Sequence, residues 1–145
     1  MLTRIVEERW FRAAAAVGFW PANRVGDDVN VFADEQRASP IAVLHTLRQQ
    51  LERKDGRPNV ALADFVASPG VRDYIGGFLV TAGIGEDAVA DRFKKANDDY
   101  SAILAKALAD RLAEAFAERL HWETRRTLWG YAKEEALSTA EVIAE

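Results

Sequence analysis

The chain has 145 residues, 49% hydrophobic and 29% charged, with a formal net charge of −4; that is the length of one domain and enough to bury a core. The acidic balance excludes nucleic-acid binding driven by phosphate neutralisation, and the absence of cysteine excludes disulfides, thiolate metal sites, thiol catalysis and a c-type haem. Only His45 and His121 offer imidazole, far apart in the chain, and no apolar run approaches the roughly 20 residues a membrane-spanning helix needs.

Residues 2–12 are rich in helix formers, and Leu2, Ile5, Val6, Arg9, Trp10 and Ala13 fall near one helical face. A first helix is expected there, with Gly18 and Pro21 ending its pattern. The apolar stretch of residues 13–20 is short and follows acidic residues, so it is no signal peptide. Residues 18–32 read as two strands around a turn at residues 24–28, where Gly26 supplies conformational freedom and Asp27 and Asp28 suit turn hydrogen bonding. Val29 and Val31 alternate with Asp28 and Asn30, which predicts one wet face for the second strand.

Residues 40–53 read as a helix, with Ser39 as N-cap, Pro40 at the first helical position, and Ile41, Val43, Leu44, Leu47 and Leu51 as its buried stripe. A loop follows at residues 54–59. Residues 60–67 and 74–82 then read as strands joined by Ser68-Pro69-Gly70. The later strand is apolar on both faces, which predicts a central place in a sheet, and its Gly76-Gly77 pair predicts a close backbone approach or a bulge. From Glu86 the pattern is helical. Residues 98–121 carry apolar side chains at 100, 103, 104, 107, 108, 112, 115, 116 and 120, and this helix is expected to end before Tyr131, at Gly130. Ser138-Thr139-Ala140-Glu141 is a capping box that opens a last helix. One α+β domain with a small antiparallel or mixed sheet and several packed helices is the expected architecture.

No general catalytic motif is present: no phosphate loop, no nucleophile elbow, no metal-ligand spacing. Asp110, Glu114 and Glu118 are spaced four apart and so line one side of the long helix. Lys106 continues the line and is placed to offset Asp110, and Arg111 is placed to pair with Glu114. Spacing alone reads as a solvated charged face; the sharper reading is that one carboxylate holds a cationic ligand or a partner's histidine. The turn at residues 23–28 is polar enough to bind a ligand, yet hairpin turns use the same residue types for backbone reasons. Trp10, Trp20, Trp122 and Trp129 read as core or sheet-cover residues.

Several runs, in order along the chain, resemble the activation domain of cobalamin-dependent methionine synthase. They are Phe19-Trp20-Pro21-Ala22-Asn23-Arg24-Val25-Gly26-Asp27-Asp28, His45-Thr46-Leu47-Arg48-Gln49-Gln50, Leu62-Ala63-Asp64-Phe65-Val66-Ala67, Asp73-Tyr74-Ile75-Gly76, Asp98-Asp99-Tyr100 followed by the helix segment from Lys106 to Glu118, and Trp129-Gly130-Tyr131-Ala132. The resemblance implies a C-shaped α+β domain, with a twisted antiparallel sheet flanked by helices and one long helix in the C-terminal half. It implies a module that presents S-adenosylmethionine for reductive methylation of inactive cob(II)alamin, within an enzyme that moves a methyl group from methyltetrahydrofolate to homocysteine. Glu114 matches a family carboxylate near the S-adenosylmethionine site. Asp110 and Glu86 match acidic residues at the contact with the cobalamin-binding domain. The implied partners are that domain and flavodoxin or an equivalent reductase, in the cytoplasm, with neither nucleic acid nor membrane. Cobalamin and zinc belong to other modules of the parent enzyme. The family's Arg-x-x-x-Gly-Tyr ligand loop is expected beyond Glu145 and its N-terminal aspartate before Met1, which makes residues 1–145 the middle of the domain. The chain alone is then expected not to catalyse methyl transfer. The alternative reading is a stand-alone, non-catalytic interaction module that docks on a cobalamin-binding protein.

Overall fold

The computed structural model describes residues 1–52, 56–138 and 141. Helix α1 (Leu2–Glu7) is followed by strands β1 (Arg12–Val25), β2 (Asp28–Phe32) and β3 (Pro40–His45), a 3₁₀ turn (Leu62–Phe65) and strand β4 (Asp73–Ile84). Helices α2 (Glu86–Lys95) and α3 (Asp99–Glu123) come next, and a π turn (Thr124–Leu128) continues from α3. The four strands form an antiparallel sheet in the order β3-β2-β1-β4, which is the α+β class the sequence predicts. The chain divides into two compact units, Val17–Phe78 and Met1–Ala16 with Leu79–Glu145.

Within Val17–Phe78 the β1–β2 hairpin stands where the sequence places it. Val25 pairs with Asp28 across a two-residue loop, and Gly26 there takes a φ of 65°, the left-handed value such a loop needs and glycine adopts without strain. Val29 and Val31 are buried while Asp28 and Asn30 are half-exposed, as the alternation predicts. Ala22, Val29 and Ala63 form the core of this unit, with Val66 and Ile75 against it.

Residues 40–52 are not a helix, and residue 53 of that expected element lies outside the described residues. Residues 40–45 form β3, which pairs antiparallel with β2 through Val29↔Leu44 and Val31↔Ala42, and residues 46–52 have no regular structure. Ser39 and Pro40 therefore do not open a helix; Pro40 begins an edge strand opposite Phe32, beside a register shift at Val31/Phe32, a place where a missing N–H is tolerated. β-Branched Ile41 and Val43 suit a strand, and the free edge of β2 satisfies their backbone. The supposed buried stripe is exposed, Leu47 at 92% and Leu51 at 60%.

The strand expected at residues 60–67 is replaced by the 3₁₀ turn. Asp64 accepts the Ala61 N–H on its carboxylate at 2.9 Å, and its own N–H donates to the Ala61 carbonyl at 3.0 Å, so a local partner outcompetes a strand ladder. Ser68-Pro69-Gly70-Val71 closes as a turn with Val71 N–H on the Ser68 carbonyl at 3.3 Å and Gly70 at φ 97°, the glycine position of a type II turn with proline before it. β4 is an edge strand and not the central one. Its apolar character goes with exposure on that edge, Phe78 at 43% and Leu79 at 76%. The Trp20 ring lies 3.6 Å from where a side chain on Gly77 would start, the close approach that the glycine pair predicts.

In the other unit, α1 is shorter than expected. Arg9 takes a φ of 52° and Trp10 donates its N–H to the Ile5 carbonyl at 3.1 Å, a left-handed helix end sealed by an apolar contact between Trp10 and Ile5. The chain then leaves as a strand at Arg12, so residues 13–16 belong to β1, and Gly18 and Pro21 lie inside it. Ile5, Trp10, Val89 and Ala105 form the core, with Phe93, Leu108 and Leu112 against it. Asp98 caps α3 by accepting the Ser101 N–H at 3.0 Å. The buried line of α3 is Ala102, Ala105 and Ala109, while Tyr100 and Ile103 are 76% and 71% exposed. Small residues at a helix contact let the two axes approach closely. The π turn ends before Gly130, as expected. Ser138 donates its N–H to the Glu141 carboxylate at 2.8 Å and Glu141 returns its N–H to the Ser138 hydroxyl at 3.4 Å, which is the capping box read from sequence. The body of the last helix expected there, and residues 54–55 of the expected loop, lie outside the described residues. Among the described residues no helix is long and apolar enough to cross a membrane.

Candidate functional site

The acidic line of α3 emerges from a well-packed base. Ala105 packs with Val89 of α2 and Ala109 is buried beside Gly83, while Asp110 and Glu114 are both exposed. Glu114 pairs with Arg111 at 2.7 Å, the partner expected from spacing, with side chains 60% and 73% exposed. Lys106 does not offset Asp110. It reaches α2 and binds Asp87 at 2.7 Å, and this contact holds the Asp87 carboxyl below its ordinary value.

Glu86, the first residue of α2, is half-buried. A side chain built on Gly83 would start 3.0 Å from the Glu86 Oε2 and 3.4 Å from the Ala109 Cβ. The Glu86 carboxylate and Ala109, the residue before Asp110, therefore border one spot. The structure thus brings the Glu86 carboxylate near Ala109, the chain neighbour of Asp110, although the two are far apart in sequence. Such an edge presents carboxylates to a cation or a hydrogen-bond donor.

A second polar cluster, which sequence reasoning did not find, lies within Val17–Phe78. Arg48 donates to both carboxylate oxygens of Asp64 at 2.6 and 2.9 Å, to Asp27 at 2.6 Å and to the Asn59 carbonyl at 2.7 Å. Arg24 adds a bond to Asp64 at 3.1 Å, Thr46 donates its hydroxyl to the Asp27 carbonyl at 2.5 Å, and His45 meets Asp28 at 3.1 Å. These bonds tie the irregular residues 46–52 to the hairpin and the 3₁₀ turn. The polar groups of the turn at residues 24–28 are thus largely answered from inside the unit, which favours the backbone reading over a ligand site. No periodicity links Asp27, Arg48 and Asp64; each lies in one of the runs that carry the family resemblance, but nothing in the spacing shows that they meet.

The Arg48 guanidinium and the Ala61 N–H hold the Asp64 carboxyl well below the usual carboxylate range. Its folded value lies below its unfolded value near 3.8. The stability it contributes is complete above that unfolded value and is lost as pH falls from there through the folded one. The urea midpoint of the wild-type chain is expected to drop between about pH 4 and pH 2. Asp64→Asn should lower the midpoint at neutral pH and flatten that segment of the profile. An unchanged acid profile in this variant would remove Asp64 as its source.

An apolar hollow of about 340 Å³ lies in the same unit, lined by Trp20, Val31, Ile41, Leu44, Ile75 and Gly76 among others. Among the described residues no group of three or more His, Cys, Asp or Glu side chains stands close enough to hold a metal ion.

The sequence model of the vitamin B12 dependent methionine synthase activation domain matches residues 1–145. The crystal structure of the MetH reactivation domain bound to AdoHcy is similar to this chain with a TM-score of 0.90 and 52% sequence identity. The match covers 99% of this chain and 45% of that one, so this chain spans less than half the length of the solved structure.

Proposed function

Because the chain belongs to the vitamin B12 dependent methionine synthase activation domain family, we propose that it serves the presentation of S-adenosylmethionine to inactive cobalamin within a methionine synthase. The whole-length likeness to a reactivation domain bound to AdoHcy carries this reading. Residues 1–145 are then a portion of a longer activation domain, in keeping with the 45% of the solved chain that they cover. When bound, S-adenosylmethionine supplies the methyl group, with one electron coming from flavodoxin or an equivalent reductase.

This chain's own residues do the holding and aligning. Glu114 is open to solvent and engages only its helix neighbour Arg111 among the described residues. An open carboxylate suits a sulfonium or an ammonium, so the donor chemistry fits the cationic end of S-adenosylmethionine. Asp110 and Glu86 form the docking face for the cobalamin-binding module and accept hydrogen bonds from it, an imidazole N–H being the natural donor. Since α3 is anchored on α2 through Ala105, these carboxylates leave a rigid element, which keeps the presented ligand in register with its partner.

The test is a calorimetric titration of the chain with the isolated, cobalamin-loaded module. Wild-type chain is expected to bind, and Asp110→Ala to bind on the order of ten-fold more weakly, the effect of losing one charged contact at an interface. Equal affinity of the two would remove Asp110 from the docking face.

A further inference from the structure

We propose that Gly83 is a positioning residue for the Glu86 carboxylate, and through it for the docking face; the second step rests on the reading of Glu86 given above. Gly83 is not required by its backbone, because its φ lies outside the left-handed region that favours glycine. Its reason is space. A methyl group there would meet the Glu86 Oε2 at 3.0 Å, its Cδ at 3.5 Å and the Ala109 Cβ at 3.4 Å. The carboxylate occupies the niche that a side chain on β4 would fill. Ala109 on α3, itself buried, closes another side of that niche.

Two further observations make the placement consequential. The Lys106 ammonium, whose charge Glu86 feels, is bonded to Asp87 at 2.7 Å, so it answers Glu86 only through its field. Among the described residues Glu86 makes no hydrogen bond or ion pair, and it is half-buried. A partly desolvated carboxylate held by shape alone retains its capacity to accept a hydrogen bond from a partner. What Gly83 contributes is therefore the location of an acceptor beside Ala109, the residue before Asp110.

The atom a new methyl group strikes first is the far end of a flexible side chain, so Gly83→Ala displaces the carboxylate and leaves the backbone in place. In the 145-residue chain, the Glu86 side-chain carboxyl ¹³C resonance is expected to shift in Gly83→Ala, while the α3 amide resonances beyond Ala109 stay where they are. Docking to the cobalamin-loaded module is expected to weaken about five-fold in Gly83→Ala and by a similar factor in Glu86→Gln. The double variant should bind no more weakly than the weaker of the two single variants, because both changes weaken the same contact. An unmoved carboxyl resonance overturns the positioning. Additive losses in the double variant overturn it too, since Gly83 would then act by another route. Wild-type docking by Glu86→Gln, with the resonance still displaced in Gly83→Ala, would instead show that the reading of Glu86 has failed, and would sink the docking step with it.

Discussion

Trp10→Ala should destabilise the helical unit by about 3–5 kcal/mol, the range for removing a buried tryptophan from a packed core. Trp10 is 8% exposed and sits between Ile5, Val89 and Ala105, with its ring edge-on to Phe93 at 5.5 Å. Its indole N–H donates to Glu8 at 2.6 Å, and the guanidinium groups of Arg4 and Arg92 lie 4.9 and 4.7 Å from its ring. The residue therefore joins α1, the start of β1 and α2 at one point. The six residues of α1 are too few to be helical alone, so α1 depends on this contact for its existence. Urea unfolding followed by circular dichroism measures the loss. Hydrogen exchange should show the amides of residues 5–10 losing protection first. Trp10→Phe keeps most of the ring contact and loses the N–H bond, and should cost about 1–2 kcal/mol. A loss below about 1 kcal/mol for Trp10→Ala would show that α2 and α3 stand without α1.

Asn23→Leu should cost about 3 kcal/mol or more, through unpaired polar groups and not through volume. Asn23 is 4% exposed. Its side-chain amide donates to the carbonyls of Ala67, Ser68 and Val71 at 3.1, 3.1 and 2.8 Å, and its oxygen accepts from Arg37 at 2.5 Å. Arg37 in turn donates to the carbonyls of Ala22 and Asp73 at 3.1 and 2.9 Å. The turn at residues 68–71 is thus held to β1 by the Asn23 amide and by Arg24, which donates to the Ser68 hydroxyl at 3.2 Å, with Arg37 bridging onward to β4. Leucine fills the space and bonds none of these groups. Thermal unfolding reads the loss, and Asn23→Asp separates shape from bonding: it keeps the size and the Arg37 contact and loses the donor. Stability close to wild type in Asn23→Asp would show that the three carbonyls do not need the amide.

Elements whose cause lies within a few residues were legible in the sequence. The Gly26 hairpin, the Pro69-Gly70 turn, α2, α3 and the reciprocal bonds of Ser138 and Glu141 all follow from near neighbours. The family was legible too, from the ordered series of runs, and the match over residues 1–145 agrees. The roles of Asp110, Glu114 and Glu86 came from that resemblance alone, since spacing by itself describes a solvated helix face. Only the pairing of Glu114 with Arg111 was open to physical reasoning, as an i, i+3 contact on one helix.

Tertiary structure decided the rest, and for one reason: the competing local states were close in energy until a distant segment supplied a partner. Ile41, Val43, Leu44 and Leu47 fit a helix stripe, and only the open edge of β2 makes residues 40–45 a strand. Residues 60–67 fit a strand until Asp64 turns back on Ala61 and Arg48 draws it toward Asp27. The sequence by itself determined the class of the fold, the long helix and the acidic line on it. Only the packing of β4, α2 and α3 decided that the Glu86 carboxylate and Ala109 meet at Gly83, because a contact between residues so distant in the chain leaves no local signature.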